Sequence, residues 1–297
     1  MDDYALKKYK ESGIISAKAL AHGAKLIKVG ARLLDVCDAV EAKIKELGGE
    51  PSFPAQTSRN EIAAHYCPEE NDETVYAQGD VVKLDCGAHV EGYVTDNATT
   101  VDLGDNAKLV RASRDAVETV VKMAKTGVRI SEIGGKIEEI ISANGFSPVK
   151  NLSGHGVGHY TVHTNPSMPN YDNGNSNNLK EGQIVAIEPF ASAGAGMIHE
   201  SGAPTVFMQS AKRPIRGTFA RLILKDIAQF NGLPFTTRWL SRVHGIGKVK
   251  FGLRELQSAG IIRGYPALPD VRGGLISQAE HTVIVGEKPI IVTKLDD

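Results

Sequence analysis

The chain has 297 residues, 41% of them hydrophobic and 23% charged, with a formal net charge of −1. That balance fits a soluble globular protein with ample core and gives no overall field favouring nucleic acid or a membrane surface. Cys37, Cys67 and Cys86 are too few and too scattered for a disulfide framework or a zinc knuckle; no apolar run nears the roughly 18 residues of a membrane span, and the polar start shows no signal peptide, so a cytoplasmic protein with reduced thiols is expected.

Residues 25–48 read as a helix end, a break at Gly30, an amphipathic helix striped by Leu33, Val36, Val40 and Ile44, and a stop at Gly48. The pattern returns without a gap over residues 122–145, with identities at Lys25/Lys122, Lys28/Lys125, Gly30/Gly127, Arg32/Arg129, Glu41/Glu138, Ile44/Ile141 and Gly48/Gly145. This duplication predicts two similar halves about a pseudo-two-fold axis, with a site between them. Strand-like sequence follows each copy: 81–85, 92–96 and 99–101 after the first, 154–163 and 183–188 after the second, and a last strand over 278–285. Residues 212–264 interrupt this pattern with helical segments over 219–230, 236–243 and 251–259. The expected class is therefore α+β, with a body of residues 1–211 and 265–297 and a helical insert at 212–264.

The insert is also where the charge is concentrated. It holds eleven basic side chains, among them Arg238, Arg242, Lys248 and Lys250, against only Asp226 and Glu255. Such asymmetry points to a polyanionic partner, or else to cations that balance an acidic body.

Five side chains on or beside the predicted strands carry the chemistry: Asp85, Asp96, His155, Glu188 and Glu280. Asp85 follows Val-Val-Lys-Leu and Glu188 follows Ile-Val-Ala-Ile, places where a carboxylate needs a compensating partner. Each alone reads as a strand-end charge or a salt bridge. Four carboxylates and an imidazole on central strands instead favour a metal centre, and these hard to borderline donors suit Mn, Fe, Co or Zn.

The motifs around them, Asp85-x10-Asp96, Asn151-Leu152-Ser153-Gly154-His155-Gly156-Val157-Gly158, Ala186-Ile187-Glu188-Pro189 and Gln278-Ala279-Glu280-His281-Thr282, resemble those of methionine aminopeptidases. Those enzymes are pita-bread metallopeptidases, and an insert between the last two ligands resembles the type II members, in which it is winged-helix-like. The resemblance spans essentially the whole chain. It implies two divalent metal ions per subunit, with Asp85 on one, His155 and Glu188 on the other, and Asp96 and Glu280 bridging. It also implies Glu188 as the proton carrier, His163 as a donor to the substrate carbonyl and His65 as a contact to the substrate backbone. Phe53, Val162 and Tyr265 would wall a methionine pocket. Some type II members have a further histidine shortly after the position of His199; residues 202–206 here hold none. The implied activity is removal of the N-terminal methionine from nascent chains whose second residue is small. With such a substrate, ribosomal RNA is the polyanion expected for the basic insert, and a monomer is expected. A prolidase or aminopeptidase P shares the five ligands but carries an additional N-terminal domain. A non-catalytic ribosome- or nucleic-acid-binding relative would have lost ligands, and this chain keeps all five.

Overall fold

A computed structural model describes residues 1–295. Helix α1 (Asp3–Leu26) starts at Asp2, whose carboxylate accepts from the Ala5 amide at 2.7 Å and satisfies one of the unpaired first-turn donors. It is followed by α2 (Leu33–Glu46), and in the second half by α3 (Ala107–Val120) and α4 (Ile130–Ala143). Helices α2 and α4 begin and end at positions equivalent under the repeat. Leu33/Ile130, Val36/Ile133, Val40/Ile137 and Ile44/Ile141 are all buried, each set in the core of its own half. Both glycine breaks are left-handed, with φ 85° at Gly30 and 86° at Gly127, then 89° at Gly48 and 82° at Gly145. A side chain would be strained there, so the repeat preserves backbone geometry as well as hydrophobicity.

Strands Val81–Val90 and Tyr93–Asp102 form a long antiparallel hairpin, so one strand over 93–102 stands where the pattern indicated two, and Gly92 falls in the turn. The hairpin turns at Glu91 and Gly92, both with positive φ, as a two-residue primed turn demands. In the second half the expected strand over 154–163 is two, Ser153–Gly158 and Thr161–Pro169, folded back at His159-Tyr160. Strands Ile184–Ile187, His281–Ile284 and Ile290–Ile291 complete that sheet. The expected 278–285 strand is interrupted between Ile276–Gln278 and His281–Ile284, because Glu280 leaves its ladder to bridge Ala98 of the other half. That seam is stitched by side chains: the Thr282 hydroxyl donates to the Asp96 carbonyl at 2.7 Å and accepts from the Asp96 amide at 2.8 Å.

The insert carries α5 (Thr218–Ile227), α6 (Thr237–His244) and α7 (Ile246–Ser258) around its own apolar cluster. Strand Ser201–Gln209 pairs with Phe235–Thr236 and Ile262–Ala267, so a strand of the body supplies the insert's sheet. Its cations are not a uniform solvated face. Arg238 is 0% exposed and binds Asp38 and, through both terminal nitrogens, Glu41 at 2.7 and 3.0 Å. Arg242 pairs with Asp38 and Glu70, and Lys250 with Glu69 at 3.1 Å. These three therefore tie the insert to the acidic body, and the polyanion reading loses them. Lys212, Arg213, Arg216, Arg221, Lys225, Lys248 and Arg254 remain exposed.

Candidate active site

Strand register explains why the five donors converge. Asp96 stands opposite Gly87, two residues from Asp85, so the two carboxylates are diagonal neighbours on one face of the hairpin. His155 stands opposite Ala186, two residues before Glu188, which gives that pair the same relation. His281 is opposite Ile187, and one step further along this register brings Glu280 opposite Glu188. The seam then sets the two faces against each other.

One cavity of about 240 Å³ is lined by Asp85, Asp96, His155, Glu188 and Glu280, and also by Phe53, His65, Val162, His163 and Tyr265. The structure thus brings together every side chain singled out in the sequence. His159 and His281, which stand beside the motifs and could have oriented the donors, line no part of the cavity: His159 Nε2 binds the Glu91 carbonyl at 2.8 Å, and His281 Nδ1 binds the Thr293 hydroxyl at 3.0 Å. Among the lining residues that the motifs did not flag as pocket walls are Phe190, Val206 and Pro234. Pro234 belongs to the insert, and no local pattern announces its reach. Val206 closes the cavity on the strand where the further histidine of some relatives was sought.

The donors are crowded and undercompensated. Asp85 Oδ1, Asp96 Oδ1 and Glu280 Oε1 are buried without a hydrogen-bond partner among the described residues. Burial pushes the Asp85 carboxyl up to about 7, and burial followed by the neighbouring carboxylates pushes Asp96, Glu188 and Glu280 well above their ordinary range. His155 is pulled down to about 3 by burial, then by His163, so its ring is neutral. Its Nδ1 lies 3.1 Å from the Gly156 carbonyl, to which it donates, leaving the Nε2 lone pair free. That Nε2 is 3.7 Å from both Asp96 Oδ2 and Glu188 Oε1, too far for a hydrogen bond. Asp96, His155 and Glu280 each present a donor atom within 4.8 Å of the others. Orphaned carboxylate oxygens around a free imidazole lone pair fit a divalent cation. Gln278, quoted in the last motif but given no role there, turns its amide nitrogen to Asp85 at 3.2 Å, Glu188 at 3.3 Å and Glu280 at 3.5 Å. It is a ready orienting group for three of the four acids.

The pH dependence follows with a definite sign. Asp85 is raised in the folded state above its ordinary value of about 3.9. Its contribution is fully present below that ordinary value and is lost as pH rises through about 7. Chelator-treated protein should therefore melt at lower temperature at pH 8 than at pH 5.5. Protein loaded with divalent metal, whose charge replaces the bound protons, should change much less. Thermal unfolding of both forms at the two pH values checks this, and a metal-free form more stable at pH 8 would contradict it.

The other side chains lining the cavity are held as firmly. His65 has φ 69°, an unfavourable left-handed conformation for a side-chain-bearing residue. It is fixed by the Gln56 side chain, which accepts from its amide at 2.7 Å, and by Nδ1 donating to the Pro266 carbonyl at 3.2 Å. Burial brings it down to about 4, so it too is neutral. Its ring meets Tyr265 edge-on at 5.6 Å, and His163 meets His155 edge-on at 4.3 Å. Phe53 and Val162 are buried in one apolar cluster with Leu233 of the insert. Gly87 makes room for it: a Cβ there would stand 2.6 Å from the Phe53 ring.

The profile of metallopeptidase family M24 matches residues 7–218. A methionine aminopeptidase of Archaeoglobus fulgidus is 44% identical over 294 residues, covering 99% of each chain. The crystal structure of the Thermotoga maritima methionine aminopeptidase has a TM-score of 0.74 at 25% identity, covering 99% of this chain and 98% of that one. The structure of a thermophilic Arx1 has a TM-score of 0.88 at 17% identity, over 100% of this chain and 92% of that one, which is a likeness of fold.

Proposed function

The chain belongs to metallopeptidase family M24 and removes the N-terminal methionine of polypeptides with the aid of divalent metal, and on that premise we propose which residues do so and how. Asp85, Asp96, His155, Glu188 and Glu280 hold two ions per subunit, drawn from Co, Mn, Fe and Zn. The observation that carries this reading is the set of orphaned carboxylate oxygens around the free lone pair of His155. When bound, such ions supply Lewis acidity, making the scissile carbonyl more electrophilic and a nearby water more acidic.

Everything else falls to the chain's own side chains. Glu188 takes the proton of the attacking water and returns it to the leaving amine. His163 donates to the substrate carbonyl oxygen as negative charge develops there. His65, neutral and fixed by Pro266, steadies the backbone at the cleaved bond. Phe53, Val162 and Tyr265 enclose the methionine side chain, and a cavity of about 240 Å³ leaves little space for a bulky second residue. In this reading residues 1–211 and 265–297 form the catalytic body and 212–264 the insert. The protein acts as a monomer on nascent chains in the cytoplasm, and no described helix is long and apolar enough to cross a membrane.

Elemental analysis and turnover, measured on the same samples, test these assignments. Asp96→Asn should lose both metal and activity, because a carboxylate of the donor set becomes a neutral amide. His163→Ala should keep its metal and lose turnover by roughly 10²-fold, the usual cost of one oxyanion donor. Loss of metal from the His163 variant would mean it has been assigned to the wrong role.

Docking on ribosomal RNA is also part of this reading, carried by the cations that the body leaves free. Phe219 and Phe251 stand exposed and edge-to-face at 5.8 Å on α5 and α7, among Arg216, Arg221 and Lys248. Exposed aromatics between cations suit unpaired bases and phosphates. Co-sedimentation with ribosomes should weaken steeply with salt. It should weaken further on reversing Arg213, Arg216, Arg221 and Lys248 to Glu, and equal binding by both proteins would contradict docking.

A further inference from the structure

A groove of about 880 Å³ lies between the 61–72 loop and α7 of the insert. His65 lines both this groove and the catalytic cavity, so the two adjoin at the residue assigned above to the cleaved bond. One wall carries Glu61, Glu69, Glu70 and Asp72; the facing cations are Lys250 and Arg254. Glu69 is paired with Lys250, Glu70 with Arg242, and Asp72 accepts from the Tyr66 hydroxyl and the Thr74 amide. The Glu61 side chain has no hydrogen-bond or ion-pair partner among the described residues; Glu61 and the paired Glu69 each stand four residues from His65.

The groove also offers backbone. Between the pairs Ser201↔Ala267 and Val206↔Tyr265 the ladder bulges, so residues 202–205 face only Pro266, which has no N–H to give. Gly202 and Ala203 are exposed there. Unpaired strand backbone beside an open groove is the feature that an extended peptide completes.

We infer that this groove holds the substrate chain beyond its second residue, in extended form, and favours basic side chains at about the third to sixth positions. The inference rests on the reading of the neighbouring cavity as the methionine site. A substrate whose first residue is enclosed there must leave past His65, and at roughly 3.3 Å per extended residue the next few side chains lie along the acidic wall. Glu61, the wall's carboxylate without a side-chain partner, is then free to meet them, and Arg254 opposite sets the limit of the preference.

The experiment compares kcat/KM of metal-loaded protein on Met-Ala-Ser-Lys-Lys-Lys, Met-Ala-Ser-Asp-Asp-Asp and the tripeptide Met-Ala-Ser. The lysine peptide should exceed the aspartate peptide by about tenfold at low salt, and the gap should shrink at about 0.5 M salt, where exposed charges are screened. Glu61→Lys should lower the lysine-to-aspartate ratio, and Arg254→Glu, a surface change, should raise it. A ratio within about twofold of unity in the unmutated protein, or a ratio indifferent to both variants, would overturn the inference. Failure to cleave the tripeptide would overturn the methionine-site reading itself, and this inference with it.

Discussion

Replacing Glu188 with Gln should leave the fold intact and lower methionine release by about 10²–10⁴-fold even at saturating metal, the range that one positioned proton carrier supplies. Gln keeps the shape of the side chain and a carbonyl oxygen for the cavity, so circular dichroism and thermal unfolding should remain close to those of the unmutated protein. What it cannot do is accept a proton. Glu188 is suited to that task because burial and Asp85 raise its carboxyl well above its ordinary range, while Gln278 at 3.3 Å restrains it. The variant must be assayed over a metal titration, since an amide is also the weaker ligand. Activity within tenfold of the unmutated level at saturating metal would remove Glu188 from the proton-carrying role.

Arg238→Ala should destabilise the protein by about 3–5 kcal/mol, the scale for removing one partner of a buried ion pair. The guanidinium is sealed between Asp38 and Glu41, and Glu41 also accepts from the Trp239 indole at 2.7 Å and from the Ala55 amide at 3.1 Å. Loss of Arg238 strands the Glu41 charge in the interior. Because Ala55 is two residues from Phe53, the damage should extend to the pocket proposed for methionine and raise KM. The double variant Arg238→Met with Glu41→Leu should recover much of the stability, since no uncompensated charge is then left buried. Urea unfolding of the single and double variants checks this. A single-variant loss below about 1 kcal/mol would show that the network contributes little.

The halves and the donors were legible in the sequence for a physical reason. A left-handed glycine before and after each helix cannot be exchanged for another residue without strain, so Gly30/Gly127 and Gly48/Gly145 kept the repeat in register. Carboxylates inside apolar strands stand out because only a compensating charge tolerates them there. The break at Glu280 was not legible, since it comes from a bridge to Ala98 across the seam rather than from any local preference. Nor was the fate of the insert's cations. Composition counts Arg238 and Arg216 alike, and only the fold reveals that the first faces Glu41 while the second faces solvent. The orienting amide of Gln278 lay within a motif already quoted, yet its reach to Asp85 depends on how the two halves close.

Methionine release from Met-Ala-Ser and Met-Leu-Ser, by chelator-stripped protein titrated with a single divalent metal, tests the central claim most directly. The account predicts no release before metal is added, release from Met-Ala-Ser that grows with bound metal up to two equivalents, and little from Met-Leu-Ser. Full activity in the stripped protein, or equal cleavage of the two peptides, would contradict it.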